Sequence, residues 1–343
     1  MECLRCVYHS AVLRTTMNPL VDSFGRRHTY LRISVTDRCN LQCVYCVRPD
    51  GMVRRDRTEI LTIEELHRLA RIFVRMGVRK IRLTGGEPLL RQSIEELIRQ
   101  LAALPGLETV ALTTNGVLLK DKALRLKECG LNAINVSLDS LRKDRFAQIT
   151  GSNSFNQVMA GIRTAMEVGF APLKMNVVVM AGINDDEIID FVEFVRDKPI
   201  NVRFIEHMPF GGNRSGCFVP RLKMIQQVNA HHRLVPLSPG RHQSGTASDF
   251  RADGIKGVVS FITPMSADFC ASCSRIRLMA DGSIKSCLFQ PAEHNLRNLL
   301  RKGVSDDALE DVIRAALTHK PSRHPPIHDL VSLKNQHMIE IGG

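Results

Sequence analysis

Between about residue 29 and residue 206, short β-branched runs alternate with amphipathic stretches of helical period, and no other feature constrains the fold so tightly. The predicted strands are Tyr30 to Val35, Lys80 to Thr84, Thr109 to Thr113, Ala133 to Ser137, Lys174 to Met180 and Asn201 to Glu206. The helices between them have readable ends. Thr62-Ile63-Glu64-Glu65 is a capping box; Leu66, Leu69, Phe73 and Met76 then recur on one face, and Gly77 stops the helix. Asn184 and Glu187 repeat the arrangement ahead of Ile188 and Phe191. Six strand-helix units in succession imply a parallel sheet, so the expected class is α/β, an open (β/α)6 partial TIM barrel.

Beyond Glu206 the regularity breaks. His207 to Pro220 and Pro236 to Gly257 are rich in Gly, Pro, Ser and Arg and read as loops around a short helix near Arg221 to Val228. Lys256 to Thr263 and Ile276 to Leu288 read as strands of a smaller C-terminal α+β unit, with helices at about Asn295 to Arg301 and Ser305 to Thr318 and an irregular end. The expected division is an N-terminal extension over 1–28, a barrel over 29–215 and a C-terminal domain over 216–343.

Polar residues sit where such a barrel would use them. Cys39 follows the first strand, Gly85-Gly86-Glu87 the second, Thr114-Asn115-Gly116 the third, and Asp139 the fourth. Reactive groups of β/α barrels gather at these C-terminal strand ends, because loops there vary without disturbing the core.

The cysteines carry the chemistry. Cys39, Cys43 and Cys46 form a C-x3-C-x2-C loop, three thiolates for the four irons of a [4Fe-4S] cube, which leaves one iron open. Cys270, Cys273 and Cys287 again offer three ligands and a free iron. The alternative is zinc, but zinc prefers four tightly placed ligands, and the nearest histidine, His28, lies eleven residues before Cys39 on a predicted strand. Six of the ten cysteines in metal-ligand spacings fit a reducing cytoplasm better than an oxidising compartment. Met1 to Thr16 lacks the apolar core of a secretory signal, and the absence of a long apolar run argues against a membrane protein.

The formal charge is +12, from 47 Lys and Arg against 35 Asp and Glu. With no tryptophan, three tyrosines and no basic run interleaved with aromatics, nucleic acid is a poor fit as partner. A small polyanion needs only a few converging cations. Arg32, Lys80, Arg82, Lys174 and Arg203 fall on predicted barrel strands, where burial without anions is costly. Each could instead pair internally with Glu206, Asp139 or Glu87.

The first cysteine loop together with Thr84-Gly85-Gly86-Glu87-Pro88 resembles the radical S-adenosylmethionine (SAM) superfamily. Leu31 to Asn40, Ile81 to Pro88, Leu112 to Gly116, Asn135 to Asp139, Arg203 to Glu206 and the C-x2-C-x-R-x-R element at Cys270 to Arg277 resemble, more narrowly, the GTP 3′,8-cyclase family of molybdenum-cofactor biosynthesis, from about Gly25 to Gly343. That resemblance implies two [4Fe-4S] clusters, on Cys39, Cys43 and Cys46 and on Cys270, Cys273 and Cys287. It implies SAM on the first open iron, with contacts at Tyr45, Gly85, Gly86, Glu87, Ser137 and Met208. It implies GTP on the second, met by Arg32, Lys80, Arg82, Thr113, Lys174, Arg203, Arg275 and Arg277. A 5′-deoxyadenosyl radical would take hydrogen from ribose C3′, and the carbon radical would attack guanine C8. Arg32, Arg275, Arg277 and the terminal Gly342 and Gly343 are implied to support this step. An external one-electron reductant and a cyclic pyranopterin monophosphate synthase acting on the product are implied as partners, and a homodimer is left open.

Some features fall outside the pattern. Cys46-Val47-Arg48-Pro49 stands where the family has Cys-Met-Pro, a change of packing next to the cluster. Cys3 and Cys6 form an extra C-x2-C pair within residues 1–16, which read as a dispensable extension or an upstream translation, since Met17 to Arg27 resembles a family N-terminus. Cys129 and Cys217 read as structural thiols. A radical SAM peptide-modifying enzyme is the competing enzyme class, and a zinc or nucleic-acid-binding module the competing non-enzyme.

Overall fold

The structure is a computed structural model that describes residues 19–47, 55–208, 210, 216–238, 246–267, 269–325, 329 and 338–342. Cys3, Cys6, Arg48, Pro49 and Gly343 lie outside the described residues.

The six predicted strands form at β1 (Tyr30–Ser34), β2 (Lys80–Thr84), β3 (Thr109–Thr114), β4 (Ala133–Ser137), β5 (Leu173–Val179) and β6 (Ile200–Glu206). All pair in parallel in sequence order. Helix α1 (Ile63–Arg75) begins at the expected capping box, with Thr62 Oγ1 accepting from the Glu65 amide at 3.2 Å and the Glu65 carboxylate accepting from the Thr62 amide at 2.8 Å. Leu66, Leu69, Phe73 and Met76 are all buried in the core. Gly77 takes φ +101°, the left-handed turn that ends the helix without a Cβ clash.

Asn184 and Glu187 do not cap a helix. The Asn184 side chain accepts from the Met180 amide and donates to the carbonyls of Asp139 and Val178, while Glu187 accepts from the Ser140 hydroxyl and the Leu141 amide. Both are buried. They brace the loop after β4 against the end of β5, a long-range use of residues whose spacing imitates a cap.

The C-terminal region also departs from expectation. Strands β7 (Leu234–Pro236) and β8 (Ala247–Ala252) fall in or beside the stretch read as loop, and β9 (Val258–Ile262), β10 (Arg275–Leu278), β11 (Ser283–Lys285) and β12 (His294–Asn295) follow. These do not form a sheet of their own. Strand β9 pairs in parallel with β6, and β10 pairs in parallel with β1, so both edges of the six-strand sheet gain one parallel strand. Among the described residues the result is one twelve-strand sheet, β12-β11-β10-β1-β2-β3-β4-β5-β6-β9-β8-β7. Edge capping explains the choice: strands β1 and β6 would otherwise present unpaired backbone groups. The outward side chains of the parallel strands pack under the helices in one large core. Near the chain's end, Met338–Ile341 forms a helical turn.

Candidate active site

Strand pairing lines up the inward-facing residues in layers, because alternate side chains of a strand share one face. Arg275, Tyr30 and Lys80 are register partners across β10, β1 and β2; Arg277, Arg32 and Arg82 form the next layer. On β4, β5 and β6, Asn135 pairs with Lys174 and Lys174 with Asn201, while Ser137 pairs with Asn176 and Asn176 with Arg203. All of these line one cavity of about 410 Å³.

The two cysteine sets close opposite ends of that cavity. Cys39, Cys43 and Cys46 follow β1 and lie at the C-terminal end of the parallel strands. Cys270 and Cys273 precede β10, which runs parallel to β1, and Cys287 follows the antiparallel β11, so the second set lies at the N-terminal end. All six sulfurs belong to cavity-lining residues and none is in a disulfide.

The first loop is fixed by turns and neighbours. The Cys46 amide donates to the Cys43 carbonyl at 2.9 Å, and Cys39 Sγ accepts from the Leu41 amide at 3.4 Å. The glycines of the next loop are required by contact: a Cβ on Gly86 would lie 2.3 Å from the Arg38 carbonyl oxygen. Without one, the Gly86 and Glu87 amides donate to the carbonyls of Thr36 and Arg38 at 2.8 and 2.7 Å. Glu87 itself faces away from the cavity. Its carboxylate accepts from the Leu89 amide, the Thr114 hydroxyl and the Asn115 amide, joining the loops after β2 and β3, and burial lifts it to about 7. Tyr45 donates to Asp139 at 2.7 Å. Burial, with Asp139 adding to it, pushes the Cys43 thiol well up, and burial pushes Cys46 to about 12. Such thiols ionise when the sulfur binds a strong Lewis acid and the proton leaves to solvent.

The cations are placed without carboxylate partners from the three candidates named above. Glu206 accepts from the amides of Arg221, Met265 and Ser266, and Asp139 from Tyr45 and the Val178 amide; with Glu87, all three are engaged elsewhere. Arg82 donates to the Tyr30 hydroxyl at 2.6 Å and to the Leu112 carbonyl at 2.9 Å. Lys80 lies 5.0 Å over the Tyr30 ring, and Arg275 4.7 Å over Phe269. Burial brings Arg32 and Arg203 down to about 10 and Lys174 to about 8, with the neighbouring cations adding to it. Burial alone would raise the Tyr30 phenol, yet Arg82, Arg32 and Lys80 hold it at about 7. The buried Arg32 Nε, Asn135 Oδ1 and Asn176 Oδ1 have no hydrogen-bond partner among the described residues. A cavity with crowded cations and orphaned polar atoms fits a polyanionic ligand.

Of the sequence-predicted site residues, the cavity wall gathers the six cysteines, Tyr45, Gly85, Gly86, Ser137, Met208, Thr113 and all seven cations; Glu87 stands behind it. Gly342 is buried at φ +76°, where a Cβ would meet Ser34 Cβ at 2.8 Å and Thr84 Oγ1 at 3.1 Å at the ends of β1 and β2. Ile339 donates its amide to the Cys46 carbonyl at 3.3 Å. Tyr30, Asn135, Asn176, Asn201 and Asp249 also line the cavity and were missed. The same-face alternation of Tyr30 with Arg32, Asn135 with Ser137, Lys174 with Asn176 and Asn201 with Arg203 was the signal that could have found four of them.

The donor chemistry of both sets fits iron-sulfur ligation: three thiols each, open to a shared cavity. Among the described residues no three His, Cys, Asp or Glu converge on one point as a single ion demands, whereas the thiolates of a cube each meet a different iron.

A parallel barrel with a three-cysteine loop beyond its first strand is the architecture of radical SAM enzymes, and the chain matches the Radical SAM superfamily over residues 33–195 and Molybdenum Cofactor Synthesis C over residues 200–326. It is 49% identical over 94% of its length to the mitochondrial GTP 3′,8-cyclase of Arabidopsis thaliana, covering 83% of that protein, and 44% identical over 88% to the GTP 3′,8-cyclase of Moorella thermoacetica, covering 94%. Against molybdenum cofactor biosynthesis protein 1 of Drosophila melanogaster it is 47% identical over 90% of its length but spans only 54% of that longer protein. The chain therefore belongs to the GTP 3′,8-cyclase family and is a radical SAM enzyme that uses SAM and iron-sulfur chemistry. Among solved structures, Streptococcus suis SuiB bound to S-adenosylmethionine shares the fold, with TM-score 0.57 and 18% identity over 84% of this chain and 68% of that one. No helix among the described residues is long and apolar enough to cross a membrane.

Proposed function

We propose that the chain converts GTP to 3′,8-cyclo-7,8-dihydro-GTP in molybdenum-cofactor biosynthesis, with one [4Fe-4S] cluster on Cys39, Cys43 and Cys46 and a second on Cys270, Cys273 and Cys287. The observation that carries this reading is the single cavity whose two ends bear cysteines and whose middle bears seven cations. Cys39, Cys43 and Cys46 would hold the first cluster, which together with SAM would supply the radical chemistry that side chains cannot. The protein's share is placement. Gly85 and Gly86 let the glycine loop approach the cysteine loop and offer backbone to the SAM amino acid end, Tyr45, Ser137 and Met208 bound its adenosyl end, and Glu87 holds the glycine loop in place. Arg32, Lys80, Arg82, Lys174 and Arg203 receive the triphosphate, Thr113 lies at the nucleotide, and Arg275 and Arg277 keep the guanine at the second cluster. Gly342 reaches the ends of β1 and β2, and the terminal pair Gly342 and Gly343 would hold the reacting groups in register. The interior of the partial barrel shields the radical from water.

An external one-electron reductant, a cyclic pyranopterin monophosphate synthase downstream and cytoplasmic residence belong to the same proposal, as does the division at about residue 215. Anaerobic incubation with GTP, SAM and dithionite, followed by mass analysis of the nucleotide, should give a cyclised, isomeric dihydro product and 5′-deoxyadenosine. Unchanged GTP alongside full SAM cleavage would count against GTP as substrate.

A further inference from the structure

Lys320, just beyond the helix Asp306–Thr318, is only 3% exposed. Its ammonium donates to the Arg275 carbonyl at 2.8 Å and the Ser286 carbonyl at 2.8 Å, and lies 3.4 Å from Cys273 Sγ. An ammonium has three donors, and these contacts use all of them. Arg275 stands two residues after Cys273, and Ser286 directly precedes Cys287, so one side chain joins both arms of the second cysteine set. Arg275 is the other cation acting on Cys273, and Arg26 donates to the Cys270 carbonyl at 2.9 Å and to Asp22. The attractions acting on the Lys320 ammonium come from the sulfurs of Cys273 and Cys287.

The first set has no counterpart among the described residues. Cys39 Sγ takes only neutral donors, the Leu41 amide and the Asn115 amide group at 3.8 Å.

We infer that Lys320 is a positioning residue that raises the reduction potential of the cluster on Cys270, Cys273 and Cys287. A charged N–H donor on a ligating sulfur favours the reduced, more negative cluster over the oxidised one, and hydrogen bonds to sulfur and local charge are what set such potentials. The inference rests on the two-cluster reading, whose failure would show first as about four irons in the wild-type chain, where two cubes give about eight.

The test is an anaerobic redox titration of the full-length holoenzyme followed by electron paramagnetic resonance, with and without SAM, so that the SAM-sensitive signal marks the first cluster. Lys320→Met should lower the midpoint of the SAM-insensitive signal and leave the other in place, while Lys320→Arg should keep both near wild type. If Lys320→Met loses the second cluster, Lys320→Gln retains an N–H donor without the charge and should show the lowered midpoint. An unchanged SAM-insensitive midpoint in Lys320→Met, or in Lys320→Gln where Met loses iron, overturns the inference.

Discussion

The two cysteine sets terminate one cavity in opposite electrostatic surroundings. At the C-terminal end of the strands, burial pushes all three thiols up, and the nearest charges are the carboxylates of Glu87 and Asp139. At the other end, burial raises Cys273 as well, but Lys320 and Arg275 outweigh it and hold the thiol at about 7. Identical clusters placed at the two ends would therefore differ in potential through the protein alone, since anions nearby disfavour an added electron and cations favour it. In the proposed function, the first end gives an electron to a sulfonium and the second holds an anionic nucleotide.

The largest effect expected from this contrast is at the first set. Cys43→Ser should abolish SAM cleavage, with iron falling from about eight to about four per chain as one cube is lost; iron analysis and deoxyadenosine assay check both. Residual SAM cleavage at the wild-type rate would remove the difference between the ends.

Deleting Gly342 and Gly343 should keep both clusters and near-normal SAM binding while product formation drops sharply. The reason is local: Gly342 occupies a space between Ser34 and Thr84 that no other residue fits, directly beside the strand ends that carry the first loops. Product at the full-length rate would make the tail a passive plug.

Arg277→Ala should weaken GTP by roughly 10- to 100-fold, from about 1.5 to 3 kcal/mol for a charged hydrogen bond, and leave SAM affinity unchanged. Calorimetric titration with each ligand separates the two, and equal losses would indicate a folding defect.

A smaller effect concerns pH. Burial, with Arg203, Lys80 and Arg82 adding to it, brings Lys174 down to about 8. Triphosphate binding favours the protonated ammonium, so GTP affinity should be full below pH 8 and fall as pH rises through it, several-fold at most. Lys174→Arg should flatten the profile, because a guanidinium stays charged over that range.

Much of this was legible in the sequence. The six strands could be placed within a residue or so because their β-branched runs are short and separated by amphipathic stretches of helical period, and the cysteines announce themselves by spacing. What was not legible depends on pairing across long sequence distances. Nothing near Arg275 says that β10 joins β1, and that junction puts the second cysteine set on the same cavity as the first. Asn184 and Glu187 imitate a cap because the same side-chain chemistry serves a local amide and a distant one equally well. Lys320 gives no signal at all, since its sulfur partner lies 47 residues away. Tyr30 was readable as a strand residue but not as the phenol that sits between three cations.

The central claim is that the two ends divide the work, and Cys287→Ser tests it most directly. In this variant, incubated anaerobically with GTP, SAM and reductant, 5′-deoxyadenosine and cyclised nucleotide are quantified together. The account predicts deoxyadenosine without cyclised product; full conversion of GTP by a protein holding only the first cluster would contradict it.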